Sequence, residues 1–177
     1  MRIMKTLKLI LSLLLIGLLC GTSCEKYKEK VWTELPPETQ VGANTIGCLV
    51  DGKLWATSQL PGYTLAPAMS SYYRIERSDS IVLVFYANGR SGSMSGNIIN
   101  PQIGLNIINR IGCSFPSQVN CDRFHGFENG HIFLTKLDID AGIVSGTFEF
   151  RAQCDEDDNI LIDVTKGRFD MRMRVYK

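Results

Sequence analysis

The chain has 177 residues, 45% of them hydrophobic, with 19 basic and 18 acidic side chains and a net charge of +1. This near-neutral balance argues against the clustered basic surface that nucleic-acid binding requires, so we expect no nucleic-acid partner. The length suits one domain with a single core.

The N-terminus is typical of an export signal. Arg2, Lys5 and Lys8 precede an apolar run from Leu9 to Leu19, and small residues follow at positions 21–23. The apolar run is too short to span a bilayer, which takes about 20 residues. A charged start, a short apolar centre and small residues before a cleavage point predict a signal peptide covering residues 1–23.

A cysteine directly after the small residues favours a bacterial lipoprotein signal, in which Cys24 becomes the acylated N-terminus. Cys20 is the competing position, but Leu19 before it is bulky, whereas Ser23 before Cys24 is small. An ordinary secretory signal with a coincidental cysteine is the alternative. We therefore expect a protein of the bacterial cell envelope, bound to a membrane through a lipid on Cys24. The sequence does not distinguish the periplasmic from the surface side of an outer membrane.

Cleavage before Cys24 leaves 154 residues. The removed segment carries three basic and no acidic side chains, so the remainder has 16 basic and 18 acidic ones and a net charge of −2. Residues 24–44 are polar, contain Pro36 and Pro37 and lack apolar periodicity, which predicts an extended tether. Residues 45–177 form the predicted β domain.

The β domain begins with a predicted hairpin, residues 46–50 and 53–57 around an Asp51-Gly52 type I′ turn. Further strands are predicted at 72–76 and at 81–87, the second of which is apolar on both faces and therefore central. The Gly/Ser-rich segment 88–96 indicates a flexible connection. Residues 98–111 predict one or two strands, and residues 113–130 a long loop.

The C-terminal third alternates most clearly. Strands are predicted at 132–137, at 143–152 and at 160–164, and a turn at Lys166-Gly167 leads to a last strand through Val175. The inward phase holds Phe148, Phe150, Phe169, Met171 and Met173, and the opposite phase places Asp170 with the arginines in solvent. Together these elements predict an all-β domain, an antiparallel β-sandwich or open β-barrel.

Four cysteines remain in the β domain, and an even number in an exported chain indicates two disulfides. Cys113 and Cys121 enclose a short segment and are the natural local pair, which leaves Cys48 with Cys154. The alternative is that some of the four are buried free thiols.

Several segments resemble an uncharacterised family of Bacteroidota envelope lipoproteins. They are Leu35 to Gln40, Gly42 to Trp55 with its Gly-Cys-Leu-Val-Asp-Gly-Lys centre, Leu134 to Asp138, Ser145 to Phe150, and Gly167 to Asp170. The similarity covers both ends of the mature chain but not residues 60–130. It implies a lipid-anchored β domain and supplies no catalytic or binding residues.

Two segments resemble metal-binding patterns, but we expect neither a metal nor a cofactor. Cys113, Cys121, His125 and His131 are four possible zinc ligands, but their spacing matches no zinc motif. Asp155, Asp157 and Asn159 alternate like the start of a calcium loop, yet Ile160 occupies the position that requires Gly and Lys166 that of the bidentate Glu. A solvated hairpin turn is the simpler interpretation of this acidic segment.

We expect no catalytic residues. The serines of segment 88–96 do not fit the spacing of a Gly-x-Ser-x-Gly nucleophile elbow, and no sequence signal places a nucleophile beside His125 or His131. The outward stripe of Arg151, Arg168, Arg172 and Arg174 is suited to an anionic ligand or to pairing with Glu149 and Asp170. Trp55, Tyr72, Tyr73 and Tyr86 are candidates for a sugar-stacking platform or for core packing.

These observations predict a non-catalytic binding or accessory module for a glycan, a small ligand or an envelope protein. A small envelope hydrolase is the alternative, as is an inhibitor or immunity-type lipoprotein that inserts its 113–121 loop into a target. A binder should show exposed aromatic side chains in a shallow groove, and an enzyme a deep pocket with converging titratable groups.

Overall fold

The computed structural model describes residues 32–57, 69–75, 80–89, 92–115 and 121–176. Residues 1–31 lie outside this part; they comprise the predicted signal peptide with Cys20, the predicted lipidation site Cys24 and the start of the predicted tether. Within the described residues the chain is all-β, as expected. The strands are β1 (Thr45–Val50), β2 (Lys53–Ala56), β3 (Met69–Ile75), β4 (Ile81–Gly89), β5 (Gly92–Ile99), β6 (Gly104–Ile107), β7 (Arg110–Ser114), β8 (Phe124–Asp138), β9 (Ile143–Cys154), β10 (Leu161–Arg172) and β11 (Arg174–Tyr176).

All these strands belong to one sheet in the order β11-β3-β4-β5-β7-β8-β9-β10-β1-β2, with β6 paired to β8. Every pair is antiparallel except β11 with β3. The sheet curls into a half-barrel. A bridge between Thr57 and Gly89 joins the end of β2 to β4, and the rings of Trp55 and Phe115 meet at 5.6 Å.

The first hairpin and the antiparallel order of β8, β9 and β10 confirm the sequence prediction. Asp51 and Gly52 have φ values of 47° and 78°, as a type I′ turn requires. Strand β4 lies between β3 and β5, so it is central as expected. Strands β8, β9 and β10 pair consecutively and antiparallel.

The predicted inward phase of the last strands faces the hydrophobic core. Phe148, Phe150, Met171 and Met173 are all buried. Phe169 is only partly buried, although its ring lies 6.3 Å from that of Phe148.

The turn predicted at Lys166-Gly167 is wrong. Strand β10 runs unbroken from Leu161 to Arg172, and its register against β9 shifts between Val164 and Gly167. This is a β-bulge, and Lys166 adopts a φ of 51° there. A bulge inserts one residue and exchanges the two faces of the strand beyond it, so it changes the alternation without reversing the chain.

Two predicted connections are also wrong. Most of segment 88–96 belongs to strands β4 and β5, which pair from Gly89 with Gly92 onward. Much of segment 113–130 likewise belongs to β7 and β8. Residues 116–120 of this segment lie outside the described part. In both cases pairing with neighbouring strands overrides the weak strand preference of Gly and Ser.

The end of the predicted tether packs onto the domain. Residues 36–43, here called the strap, cross the outer face of the sheet, and Pro36 is fully buried. A Cβ on Gly47 would lie 2.6 Å from Cδ of Pro36, so this close approach requires glycine. The guanidinium of Arg168 donates to the Pro36 carbonyl at 3.2 Å. The structured part of the chain therefore begins before residue 45.

The strap is held by Asp170, which was predicted to face solvent but is 1% exposed. Its carboxylate accepts hydrogen bonds from the backbone N–H groups of Val41, Gly42 and Ala43 and from the hydroxyls of Thr39 and Ser145. Burial alone would raise the pKa of Asp170, but these hydrogen bonds outweigh it and lower the pKa to about 2. The sequence prediction placed Asp170 correctly on the outward face of β10. It did not predict that residues 36–43 cover that face.

Candidate binding groove

The outer face of β5, β7 and β8 carries an open groove of about 540 Å³. Its polar lining follows from strand alternation. On β5 the side chains of Met94 and Ile98 point into the core, so Ser93, Ser95 and Asn97 point outward. The outward residues of β7 are Arg110, Gly112 and Ser114.

One row of cross-strand partners crosses the groove. Tyr86 pairs with Ser95, Ser95 with Gly112, and Gly112 with His125. Because residues opposite each other in antiparallel strands share a face, their side chains line one path. Gly112 has no side chain, and a Cβ there would lie 3.8 Å from the Ser95 hydroxyl. The gap between Ser95 and His125 therefore stays open.

A charged wall closes one end of the groove. His125 Nδ1 lies 2.8 Å from Asp155 Oδ1, and Arg123 Nε lies 3.9 Å from Asp155 Oδ2. The backbone N–H of Asp155 also donates to the carbonyl of Arg123 at 3.0 Å. The carboxylate fixes the imidazole ring and pairs with the guanidinium of Arg123.

A disulfide between Cys121 and Cys154 sits directly behind this wall, with its Cα atoms 6.1 Å apart. Arg123 follows Cys121 by two residues and Asp155 follows Cys154 by one, so the bridge fixes both positions relative to β8. Cys121 and Cys154 were each expected in disulfides, but the expected pairings Cys113–Cys121 and Cys48–Cys154 are wrong. Sequence proximity favoured the local pair. The strand register instead places Cys154 opposite Phe124, which follows Cys121 by three residues, so Cys121 and Cys154 come together.

Cys48 and Cys113 are buried free thiols. Burial, with a smaller contribution from Asp155, raises the pKa of Cys113 to about 12. Burial also raises the pKa of Cys48, and the neighbouring Cys113 adds to the effect. Thiols that stay protonated are poor nucleophiles and poor metal ligands, so both act here as small core residues.

The four possible zinc ligands are not brought together. Cys113 faces the core, whereas His125, opposite the adjacent Gly112, faces solvent. His131 lies six residues farther along β8, opposite Glu149. Cys121 and Cys154 lie beside Glu156, but their sulfur atoms are bonded to each other and are not thiolates.

The acidic segment before β10 does not form a calcium loop in the described residues. Asp155 contacts His125 and Arg123, whereas Asp157 accepts hydrogen bonds from the backbone and side chain of Asn159. These hydrogen bonds lower the pKa of Asp157. The carboxylates therefore serve different local partners.

The predicted arginine stripe has other partners than expected. Arg151 pairs with Asp163 at 2.7 Å, which lowers the pKa of that carboxyl. Arg168 contacts Glu38 at 3.8 Å beneath the strap. Glu149 and Asp170 were the expected partners, and Asp170 is instead occupied by the strap.

The predicted aromatic platform divides between the two faces of the sheet. Trp55 is buried in the hydrophobic core, and the partly buried Tyr73 packs against that core. Tyr86 lies on the outer face and is 39% exposed beside the groove. Tyr72 is on the same face, under the guanidinium of Arg74, and its ring meets that of Tyr176 at 6.2 Å.

Sequence reasoning missed the groove because it interpreted 88–96 as a flexible connection. The alternation Ser93-Met94-Ser95-Gly96-Asn97 was the available signal, since it places three hydrogen-bonding side chains on one face. Arg110 carried no signal of its own. It makes no ion pair within the described residues, so its charge is available to a ligand in the groove.

No protein-family model, curated protein or solved structure matches the chain. Among the described residues, no helix is long and apolar enough to cross a membrane.

Proposed function

We propose that this protein is a lipid-anchored component of the bacterial envelope whose β domain binds an acidic glycan. The ligand would lie in the groove between Tyr86 and His125. The observation that carries this proposal is the row of outward side chains from Tyr86 through Ser95 and Gly112 to His125, with Arg110 beside it.

The groove chemistry suits a ligand with many hydroxyl groups and a negative charge. Ser93, Ser95, Asn97 and Ser114 supply donors and acceptors without charge. Arg110 and Arg123 contribute two positive charges against the single negative charge of Asp155, which favours a carboxylate or sulfate group. Tyr86 offers an exposed ring at the edge, where a sugar ring can stack.

The groove is shallow, which favours binding over catalysis. An open site excludes little water, so hydrogen bonds formed in it are individually weak. Affinity would then depend on several sugar units contacting the sheet at once. This is the behaviour expected of an accessory module that retains a polymer near the membrane.

The binding proposal is tested by calorimetric titration with oligosaccharides of uronic acids and with neutral oligosaccharides of equal length. We expect binding of the acidic ligand and at least about a tenfold loss with Arg110→Gln, since a hydrogen bond to a charged group contributes roughly 1.5–3 kcal/mol. Lys166→Gln removes an exposed charge on β10, outside the groove, and should bind as the wild type does. Equal affinity for neutral and acidic ligands, or equal losses in both variants, would contradict the proposal.

The envelope location rests on the N-terminal sequence. Mass spectrometry of the N-terminal peptide should find acyl chains on Cys24, and Cys24→Ala should remove them. If the Cys24→Ala protein still carries lipid, Cys20 or another residue is the anchor.

A small hydrolase is the second candidate, and one observation favours it. Ser95 lies in the same row as His125, whose Nδ1 faces Asp155 at 2.8 Å. A histidine held by an aspartate can activate a serine within hydrogen-bond reach, and such activity would require Ser95 and His125 to approach each other across the gap over Gly112. Hydrolysis of an acetylated glycan by the wild type, abolished in Ser95→Ala, would support an enzyme; binding without turnover would support the accessory module.

A further inference from the structure

A cluster of exposed apolar side chains surrounds strand β6. Ile103, Leu105, Ile107 and Phe133 are exposed by 60%, 61%, 81% and 48%, respectively. Leu105 pairs directly with Phe133, so their side chains share a face. We call these four residues the β6 patch. Contiguous exposure of large apolar side chains marks an interaction surface.

The loop that carries the patch is held by a buried asparagine. Asn106 is 7% exposed, and its amide donates to the carbonyls of Gln102 and Gly104 at 2.8 Å. Its Oδ1 also accepts from the backbone N–H of Gln102 at 2.9 Å. Asn106 points inward from β6, so Leu105 and Ile107 point outward on a fixed backbone.

The patch lies on the same face of the sheet as the strap. One row of partners runs from Leu105 to Phe133, Thr147, Arg168 and Gly47. Neighbouring strands lie about 4.8 Å apart, so Phe133 is roughly 10 Å from Arg168. Arg168 and Gly47 are the two residues beneath Pro36. The strap and the β6 patch are therefore side by side.

The position of the strap limits how far this face can be from an anchored lipid. Eight peptide units separate Cys24 from Trp32, where the described chain begins, and they span at most about 28 Å when fully extended. Pro36, where the strap begins, is twelve peptide units from Cys24, so a lipid on Cys24 holds the strap face within about 43 Å of the bilayer surface. At such short tether lengths the local concentration of lipid is high, so weak apolar contacts suffice for docking.

We propose that the β6 patch docks onto the bilayer that carries the Cys24 lipid, with its apolar side chains inserted among the lipid headgroups. This inference rests on the lipid anchor of the proposed function and adds the orientation of the domain. The groove row and the patch row are separated by six residues along β9, from Gln153 to Thr147. At 3.3 Å per residue, the docked domain holds the groove roughly 20 Å from the patch.

Tryptophan quenching by brominated lipid tests the contact. The mature protein is purified in detergent and reconstituted into vesicles of phosphatidylethanolamine and phosphatidylglycerol, with or without brominated acyl chains. A Leu105→Trp variant reports on the patch, and Ile107→Trp repeats the test if the first variant does not fold. Leu161→Trp is the matched control, because Leu161 is 44% exposed at the groove end of the sheet. The wild-type signal of Trp32 and Trp55 is subtracted.

We expect brominated lipid to quench the Leu105→Trp emission about twofold and to leave that of Leu161→Trp unchanged, since interfacial side chains insert about 5–10 Å. Equal quenching in both variants overturns the docking. If Cys24 is acylated but brominated lipid does not quench the tryptophan at position 105, the docking is wrong and the anchor stands. If Cys24 is not acylated and the tryptophan is not quenched, the anchor is wrong as well. Emission shielded from aqueous iodide without lipid would show that a second copy covers the patch, which also overturns it.

Discussion

Two parts of the outer sheet face carry polar side chains, and within the described residues the protein's own chain covers one of them and leaves the other open. On β9 and β10, Ser145 and Asp170 lie beneath the strap, and the carboxylate of Asp170 is fully hydrogen-bonded. On β5, β7 and β8, the hydroxyl of Ser95 and the guanidinium of Arg110 line an open groove.

Whether a polar group is covered by the strap or open in the groove distinguishes a structural role from a role in ligand binding. Buried polar groups are stable only with partners, and the strap supplies those of Asp170. The groove residues face an open space, so their polar groups are accessible to a ligand. We therefore expect substitutions under the strap to change stability, and substitutions in the groove to change binding.

The largest effect should follow loss of the disulfide behind the groove. The bridge closes a loop between residues 33 positions apart, so Cys154→Ser should destabilise the domain by about 3–4 kcal/mol on the chain-entropy model. It should also weaken ligand binding, because Arg123 and Asp155 lose their fixed positions. Denaturant unfolding and calorimetry measure the two effects.

Thiol counting checks this bridge independently. Alkylation of the unfolded, unreduced protein should modify Cys48 and Cys113 and leave Cys121 and Cys154 untouched. Modification of all four would rule out the bridge. If Cys154→Ser unfolds the domain, alkylation still reports the pairing.

Asp170→Asn should cost about 2–4 kcal/mol, since it leaves several strap N–H groups with a weaker or missing acceptor. Urea unfolding measures the loss, and limited proteolysis should then cleave within residues 36–43. The matched control is Asp163→Asn on the exposed part of β10, which should stay close to the wild type. Equal losses in the two variants would mean that the strap does not depend on Asp170.

The pH dependence of stability provides a second test of the strap. The pKa of Asp170 is about 2, below the ordinary value of 3.8, so its ionised form stabilises the folded state. This contribution, about 2 kcal/mol, is fully present above pH 4 and is lost as the pH falls from 4 to 2. Asp170→Asn should flatten that part of the profile, and an unchanged acid limb would contradict the assignment.

The comparison of predicted and observed strands shows which structural features the alternation of apolar and polar residues can predict. Alternation identified the core-facing phase of β9 and β10, because one face of each strand meets the core, but it divided β10 at the bulge. It also placed Asp170 on the outward phase, but nothing in a period of two reveals that residues 36–43 return to cover it. Burial by a distant segment is a tertiary property, and the pattern of one strand does not encode it.

The candidate site was hidden for a related reason. Tyr86, Ser95, Gly112 and His125 come from four strands, and only the register brings them into one row. Glycine and serine have weak strand preference, so β5 resembled a flexible connection. The bulge at Lys166 similarly looked like a turn, because both change the phase of alternation.

A smaller effect is expected from the edge of the groove. Tyr86→Ala should weaken acidic-oligosaccharide binding by about fivefold, roughly 1 kcal/mol, through loss of one stacking surface. Stability should change little, because the ring is on the outer face. Tyr72→Ala is the comparison, since Tyr72 lies in the neighbouring row with Val84, Asn97 and Arg110. A larger loss from Tyr72→Ala would move the sugar contact away from the Tyr86–His125 row.

The division of the outer face is tested most directly by mapping backbone amide NMR shifts during titration with the acidic oligosaccharide. The account predicts shifts at Ser95, Gly112 and His125, and none at Gly42 or Ala43, whose N–H groups already donate to Asp170. Shifts concentrated on the strap residues, with the groove row unchanged, would contradict it.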